Sequence, residues 1–564
     1  MMDKRTMLVV VACIVALLGW QLLIGKLYPS RPKPIPAEVT TADTNTNIAP
    51  ALTTAPVPAT NTMTAAPTAA PETEAPKPPE QWVVLSNQFV RVEFTSWGGG
   101  VRSVELLKYN VNGHGHVVLN ATNAVPALAV VGLPGADTNT VFQVEQPSSS
   151  NLVFRARLRT GTEVVKDISL GPDYVLNGSV RVSSPSSPGL ATQTVAIVIG
   201  EASPTTPQEQ QAYYLGVDWF AVKYQNRALS TLWKNAGKGI SSEPVQAPWA
   251  AVKSQFFAMI LTPDRESVAI HYEPLRLPMP ENWNSKAPLE GVRASLELRP
   301  TSMTNGVATY TFAWYAGPKE YDRLVALGKG QEDVMQFGFW GVISVWLLKS
   351  MKLLYHVIPN YGAVIVVITI IIKLIFWPIQ AKSIRSMKEM QKFQPLMAKL
   401  KEKYKDDAQR MNQEMMKLYK EHKINPFSGC LPMLVQLPVL FAFYRMLSSS
   451  VELRGASFLW IRDLSQPDTV AHVLGYPINP LPLIMLVSSI WQMKLTPQTG
   501  DQQQQKMMMF MPVVMLFIFY KLASGLLLYY TVQQILSVFQ QWWGLQHGDK
   551  SPPTARPLPA GKPR

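Results

Sequence analysis

A single lysine, Lys373, interrupts the apolar run VIVVITIIIKLIFWPIQ, and Thr369 lies one helical turn before it. A charge at the centre of a membrane helix costs about 2.5–3.5 kcal/mol on insertion scales, so it faces a wet cavity or a partner. The alternative is snorkelling, because Trp377 lies only about 6 Å further along the helix and the lysine stem can reach the headgroups beyond it. Position alone leaves both readings open. Two other apolar runs carry polar side chains at comparable depth: Gln436 in LPMLVQLPVLFAFY, and Tyr529, Tyr530, Gln533 and Gln534 in LLLYYTVQQIL. They can converge on one hydrated pocket or act as hydrogen-bonding glue between helices.

Other chemistries are poorly supplied. Two cysteines rule out a disulfide framework and a four-thiolate metal site, and the seven histidines show no paired metal spacing. No nucleotide loop, nucleophile elbow or paired carboxylates stand out, so no cofactor and no enzyme activity are expected. Glu93, Asp218 and Glu320 read as isolated, solvated surface groups.

The elements that must position Lys373 follow from composition. Charged residues are 16% of the 564, against 47% hydrophobic, too few charges for a chain that faces water throughout. Residues 1–28 read as an uncleaved signal anchor, with Lys4 and Arg5 before a long apolar run. Residues 29–80 are a Pro/Ala/Thr-rich tether with twelve prolines and almost nothing to bury. From 81 to 330, short alternating runs such as VVLSNQFVRVEF and ATYTFAWYAG predict a large antiparallel β-sandwich. Residues 331–358 predict an amphipathic helix in the membrane interface. Its Gly338, Gly341, Ser344, Lys349, Lys352 and His356 share an arc of about 140°.

Five apolar runs then fill 359–546, at Tyr361–Pro378, Leu431–Leu447, Ile478–Met493, Met507–Leu522 and Leu526–Trp543. With the anchor they predict six transmembrane helices in a polytopic α-helical protein. The loop 379–423 holds twelve Lys and Arg against six acids, so the positive-inside rule makes it cytoplasmic. Both termini, the second loop at 494–506 and the basic tail 547–564 then fall inside, and the sandwich outside. The net charge of +14 is accordingly a topology signal and a surface for anionic lipid or ribosomal RNA, with no DNA-binding pattern. Runs of fifteen to eighteen residues rise about 22–27 Å, short of a roughly 30 Å hydrocarbon core, so local bilayer thinning is expected.

Within the loop, Met387, Met390 and Met397, then Met411 and Met415, recur at helical spacing on either side of a polar break, predicting a two-helix hairpin. Methionine suits variable apolar surfaces, so these side chains are candidate contacts for transient partner segments. The competing reading has them closing the hairpin on itself.

The run Asn425 to Pro432, with Gln436, Leu437 and Pro438, resembles the YidC-type membrane protein insertases. SVELRGASFLWIRDLS from Ser450, FMPVVM from Phe510 and SGLLLYY from Ser524 extend the likeness across all five C-terminal runs. The anchor, tether and sandwich match the long form found in bacteria with two membranes. The resemblance implies a positively charged, water-filled groove open to cytoplasm and lipid, lined by Lys373, Thr369, Gln436, Tyr530 and Gln533. The family usually has arginine where this chain has Lys373, which keeps the charge and loses the planar donor fork. The implied function is insertion and chaperoning of nascent inner-membrane proteins, alone or with the Sec translocon and the ribosome. Clients would slide into lipid past Leu437, Pro438 and Met509. The rival from another class is a membrane-anchored carbohydrate-active protein with a catalytic sandwich.

Overall fold

The computed structural model describes residues 78–111, 115–121, 125–184, 194–209, 214–221, 223–235, 240–279, 288–405, 407–422, 431–495 and 502–546. The anchor, nearly all of the tether, the basic tail and the stretch Asn425–Cys430 lie outside them.

All strand pairs are antiparallel, as the alternating runs predict. A ten-stranded sheet is centred on Val307–Pro318, which pairs with Phe257–Pro263 on one side and Val175–Ser183 on the other. A five-stranded sheet containing Val195–Ala202 and Leu289–Leu298 lies against it, and a four-stranded sheet spans Trp82–Leu119. Burial alternates along Leu289–Leu298, the period of two that aims one face at a core. The Trp314 indole donates to the Ile199 carbonyl at 2.8 Å, joining the two larger sheets through a fully buried side chain. Gly178 faces Phe312 across the ladder, where a Cβ would meet the ring at 2.5 Å.

Asp218 departs from the solvated reading. It is fully buried and bridges to the equally buried Lys253 Nζ at 2.5 Å. The Tyr224 hydroxyl and the Asn226 amide also donate to its oxygens. A buried carboxylate survives when a cation and further donors replace its water, as here.

The helices are α1 (Leu229–Asn235), α2 (Tyr321–Leu327), α3 (Gly341–Tyr355), α4 (Tyr361–Lys392), α5 (Gln394–Lys403), α6 (Ala408–Glu421), α7 (Leu431–Ser449), α8 (Pro480–Leu495), α9 (Gln502–Phe519) and α10 (Ser524–Gln546). The five apolar runs appear as helix over most of their length, in α4 and α7 to α10, with Ile478 in a short strand before α8 and Leu522 beyond the end of α9. Among the described residues only α4 is both long and apolar enough to cross a membrane by length and composition. The Asn360 side chain caps it, accepting from the Ala363 N–H at 3.0 Å. Helix α3 packs on α7 through Ser344, Leu347, Leu348 and Met351, and the Ser344 hydroxyl donates to the Ala442 carbonyl. Phe339, Val342, Trp346 and Leu353 face outward, so the apolar face is split between a protein partner and the exterior.

The sheets and helices are fastened where α7 ends. The Gln255 amide donates to the Ser448 carbonyl at 3.0 Å. Arg454, just beyond the helix, donates to Glu209 Oε1 at 2.9 Å, to the Asn110 carbonyl at 2.6 Å and to the Thr205 hydroxyl at 3.2 Å.

Candidate functional site

Helices α4, α7 and α10 enclose a narrow cleft lined by Ile372, Lys373, Phe376 and Gln380 from α4, Val435, Gln436 and Val439 from α7, and Tyr529 and Gln533 from α10. Each helix is apolar enough to be buried among neighbours, and each contributes one amide to the cleft. The polar positions recur at the helical period: Lys373 and Gln380 are seven residues apart, and Gln533 and Ser537 four apart, which puts each pair on one face.

Lys373 is 3% exposed, and its ammonium points inward rather than to an open surface. It donates to Gln380 Oε1 at 2.6 Å and to the Ser537 hydroxyl at 2.7 Å. Ser537 in turn donates to the Gln533 carbonyl at 2.8 Å. Among the described residues no carboxylate pairs with Lys373, so a cation sits among neutral acceptors. The carbonyl oxygen of the Gln533 side chain is buried without a protein partner. Gln436 pairs with the Tyr529 hydroxyl, and the Tyr529 ring stacks on Phe443 at 4.3 Å between centroids.

Of the residues expected in the groove, Lys373, Gln436 and Gln533 line the cleft. Thr369 is fully buried one turn away, its hydroxyl turned back to the Ile365 carbonyl at 2.6 Å. Tyr530 lies outside the lining and sets its ring edge-on to Phe519 at 5.4 Å. Tyr529 takes the place on the cleft. Gln380 and Ser537 were not among the expected groove residues, although the seven- and four-residue spacings to Lys373 and Gln533 carry that signal. Leu437 and Pro438 are half-buried, and Met509 is 65% exposed. In the hairpin, Met390 and Met397 are buried against Leu418, while Met415 packs on that cluster and Met387 and Met411 are half-buried. The exposed methionine is Met416.

Two family models match parts of the chain: the 60Kd inner membrane protein model matches residues 353–550, and the YidC periplasmic domain model matches residues 83–350. Membrane protein insertase YidC of Syntrophus aciditrophicus is 31% identical over 570 residues, covering 96% of this chain and 99% of that protein. The protein of the same name from Nitratidesulfovibrio vulgaris is 32% identical over 578 residues, covering 97% and 100%. A solved structure described as an active YidC insertase with its first transmembrane domain resolved aligns with 82% of this chain and 92% of its own, at 18% identity and a TM-score of 0.36. The full-length identities disfavour the carbohydrate-active reading, and on them the chain belongs to the YidC family of membrane protein insertases, inner-membrane proteins with a periplasmic domain.

Proposed function

We propose that this chain inserts and chaperones inner-membrane proteins by holding the hydrophilic outer segment of a client in the cleft around Lys373. The observation that carries this reading is an enclosed ammonium that has no carboxylate partner among the described residues, beside a cleft walled by three glutamines. A buried cation among neutral acceptors gains more from an arriving carboxylate than the same cation in water, because the low local dielectric strengthens the attraction. Lys373 thus lowers the cost of bringing an acidic segment partway across. Gln436, Gln533 and Tyr529 offer hydrogen bonds to the client backbone, with Thr369 and Tyr530 shaping the walls behind them. The client's apolar segment leaves past Leu437, Pro438 and Met509 into lipid. Transferring about twenty apolar residues supplies the driving force without nucleotide hydrolysis or any enzymatic step.

The topology follows the charge distribution. Six spans place the N- and C-termini and the hairpin 379–423 in the cytoplasm and the domain at 81–330 in the periplasm, with 331–358 in the interface. The Sec translocon and the ribosome are partners of the cytoplasmic and membrane faces, the ribosome through the basic loop and tail. First contact with a client falls to the hairpin, at Met387, Met411, Met415 and the exposed Met416. Met390 and Met397 take part only when the hairpin opens.

The test uses purified full chain in lipid vesicles and a single-span client with either an acidic or a neutral outer tail. Protease protection of the acidic tail should fall several-fold with Lys373→Ala while the neutral tail is spared. Equal loss for both tails would remove the electrostatic role, and no protection with the unaltered chain would remove autonomous insertion.

A further inference from the structure

Two leucines in the loop joining α7 to α8 hold left-handed backbone, Leu459 and Leu474, both at φ 52°. Each occupies a two-residue turn that closes a small hairpin. Phe458 and Ile461 exchange backbone hydrogen bonds at 2.9 and 2.8 Å around Leu459 and Trp460. Ala471–Val473 pairs with Tyr476–Ile478 around Leu474 and Gly475. Turns of this kind demand positive φ at their first central residue, a place suited to Asn, Asp or Gly. Leucine there is strained, because its Cβ crowds the following carbonyl. Packing does not hold either side chain: Leu474 is 94% exposed and Leu459 76%. At two separate turn tips a strained backbone thus carries a leucine that the protein leaves unburied.

The surroundings identify what covers them. From Thr469 to Met493 the chain contains no Asp, Glu, Lys or Arg, so an uncharged surface runs unbroken from the second hairpin into α8. The outward Leu483 and Val487 of α8 continue it. The Asp468 carboxylate accepts from the Trp460 indole at 3.1 Å and from the Leu481 N–H at 2.7 Å, fastening the first turn to the start of the same helix. The sixteen residues of α8 rise about 24 Å, less than a roughly 30 Å hydrocarbon core. Both hairpins adjoin the start of α8, the first through Asp468 and the second through the chain itself.

We infer that the Leu459 and Leu474 turns seat in the outer leaflet at the boundary of headgroups and acyl chains, as paired apolar wedges that complete the lipid-facing band of α8. At that depth the strands satisfy each other and their outer edges meet headgroup water, so no backbone group is stranded in hydrocarbon. This rests on the membrane placement of α8 proposed above.

The test keeps the full chain. In a background with Cys13 and Cys430 replaced by serine, single cysteines at Leu459, Leu474, Val487 and the sandwich residue Ser302 carry a nitrobenzoxadiazole label in vesicles of phosphatidylethanolamine and phosphatidylglycerol. Labels at Leu459 and Leu474 should be blue-shifted, quenched by nitroxide placed high on the lipid acyl chain, and quenched several-fold less by aqueous iodide than the label at Ser302. Iodide quenching equal to that at Ser302, with Val487 still shielded, would overturn the wedge alone and leave these tips to a protein partner absent from the vesicles. Iodide access at Val487 as well would overturn the placement of α8 with it. Leu474→Asn suits the turn and removes the wedge, so its melting temperature in detergent should hold or rise while a label at Tyr476→Cys moves toward water. An unmoved label would overturn the role of Leu474.

Discussion

The Lys373 ammonium and the Gln380 side-chain oxygen, two helical turns apart on α4, meet at 2.6 Å. Ser537 of α10 supplies a second acceptor, so two helices fix the point at which the positive charge sits. The cage is neutral, and a carboxylate entering the cleft replaces an amide or hydroxyl acceptor with a charged one.

Gln380→Leu should lower stability by ~1.5–3 kcal/mol, the usual range for a hydrogen bond to a charged group. The same substitution in a Lys373→Met background should cost much less, since the cation it served is gone. Thermal melting of the two single variants and the double variant measures the coupling, and additive losses would mean that the pair does not interact.

Arg454→Ala should destabilise the junction between sheets and helices by about 3–5 kcal/mol, because it leaves the buried Glu209 carboxylate without its cation. Arg454→Lys restores charge but not the three-way donor set, so it should recover only part. Limited proteolysis of the full chain in detergent checks both, with faster cleavage expected near residues 450–460.

Gly362→Ala should cost ~1–3 kcal/mol, because a Cβ there would meet the Phe458 ring at 2.2 Å. Adding Phe458→Ala should relieve the clash, so the double variant melts above the sum of the two single losses. Failure of that rescue would place the cost elsewhere.

Burial pulls the Lys166 ammonium from its ordinary 10.5 down to about 7, and its two acceptors are the Gly98 and Leu128 carbonyls. Between about 7 and 10.5 the unfolded chain holds a proton that the native form has released, so stability should rise with pH across that window, by on the order of a few kcal/mol. Melting followed by tryptophan fluorescence from neutral to alkaline pH should show the rise, and Lys166→Met should reduce its slope. An unchanged slope would mean that Lys166 keeps its charge.

The period-two runs, the five apolar segments and the lone Lys373 were legible because each departs from its background composition in a way that sterics and solvation demand. Asp218 was misread because its partner is announced by no spacing. The ladder aligns Asp218 with Ala251 and Lys253 with Gly216, so the ion pair is diagonal across strands whose register only folding sets. Tyr529 and Tyr530 differ by one residue, about 100° of helix rotation, and that rotation decides which ring lines the cleft. Gln380 follows Pro378 at the end of an apolar run, where it reads as a boundary residue until the helix is seen to continue to Lys392.

Helix α7 is clamped at one end, by Gln255 on the Ser448 carbonyl and by Arg454 immediately beyond. Pro438 lacks an N–H, so partway along the helix the Leu434 carbonyl loses the donor that an α-helix ordinarily gives it. Gln436 lies on the side of Pro438 away from that fastening. The wall that α7 supplies to the cleft, Val435, Gln436 and Val439, thus straddles the turn at which proline interrupts the helical hydrogen-bond ladder.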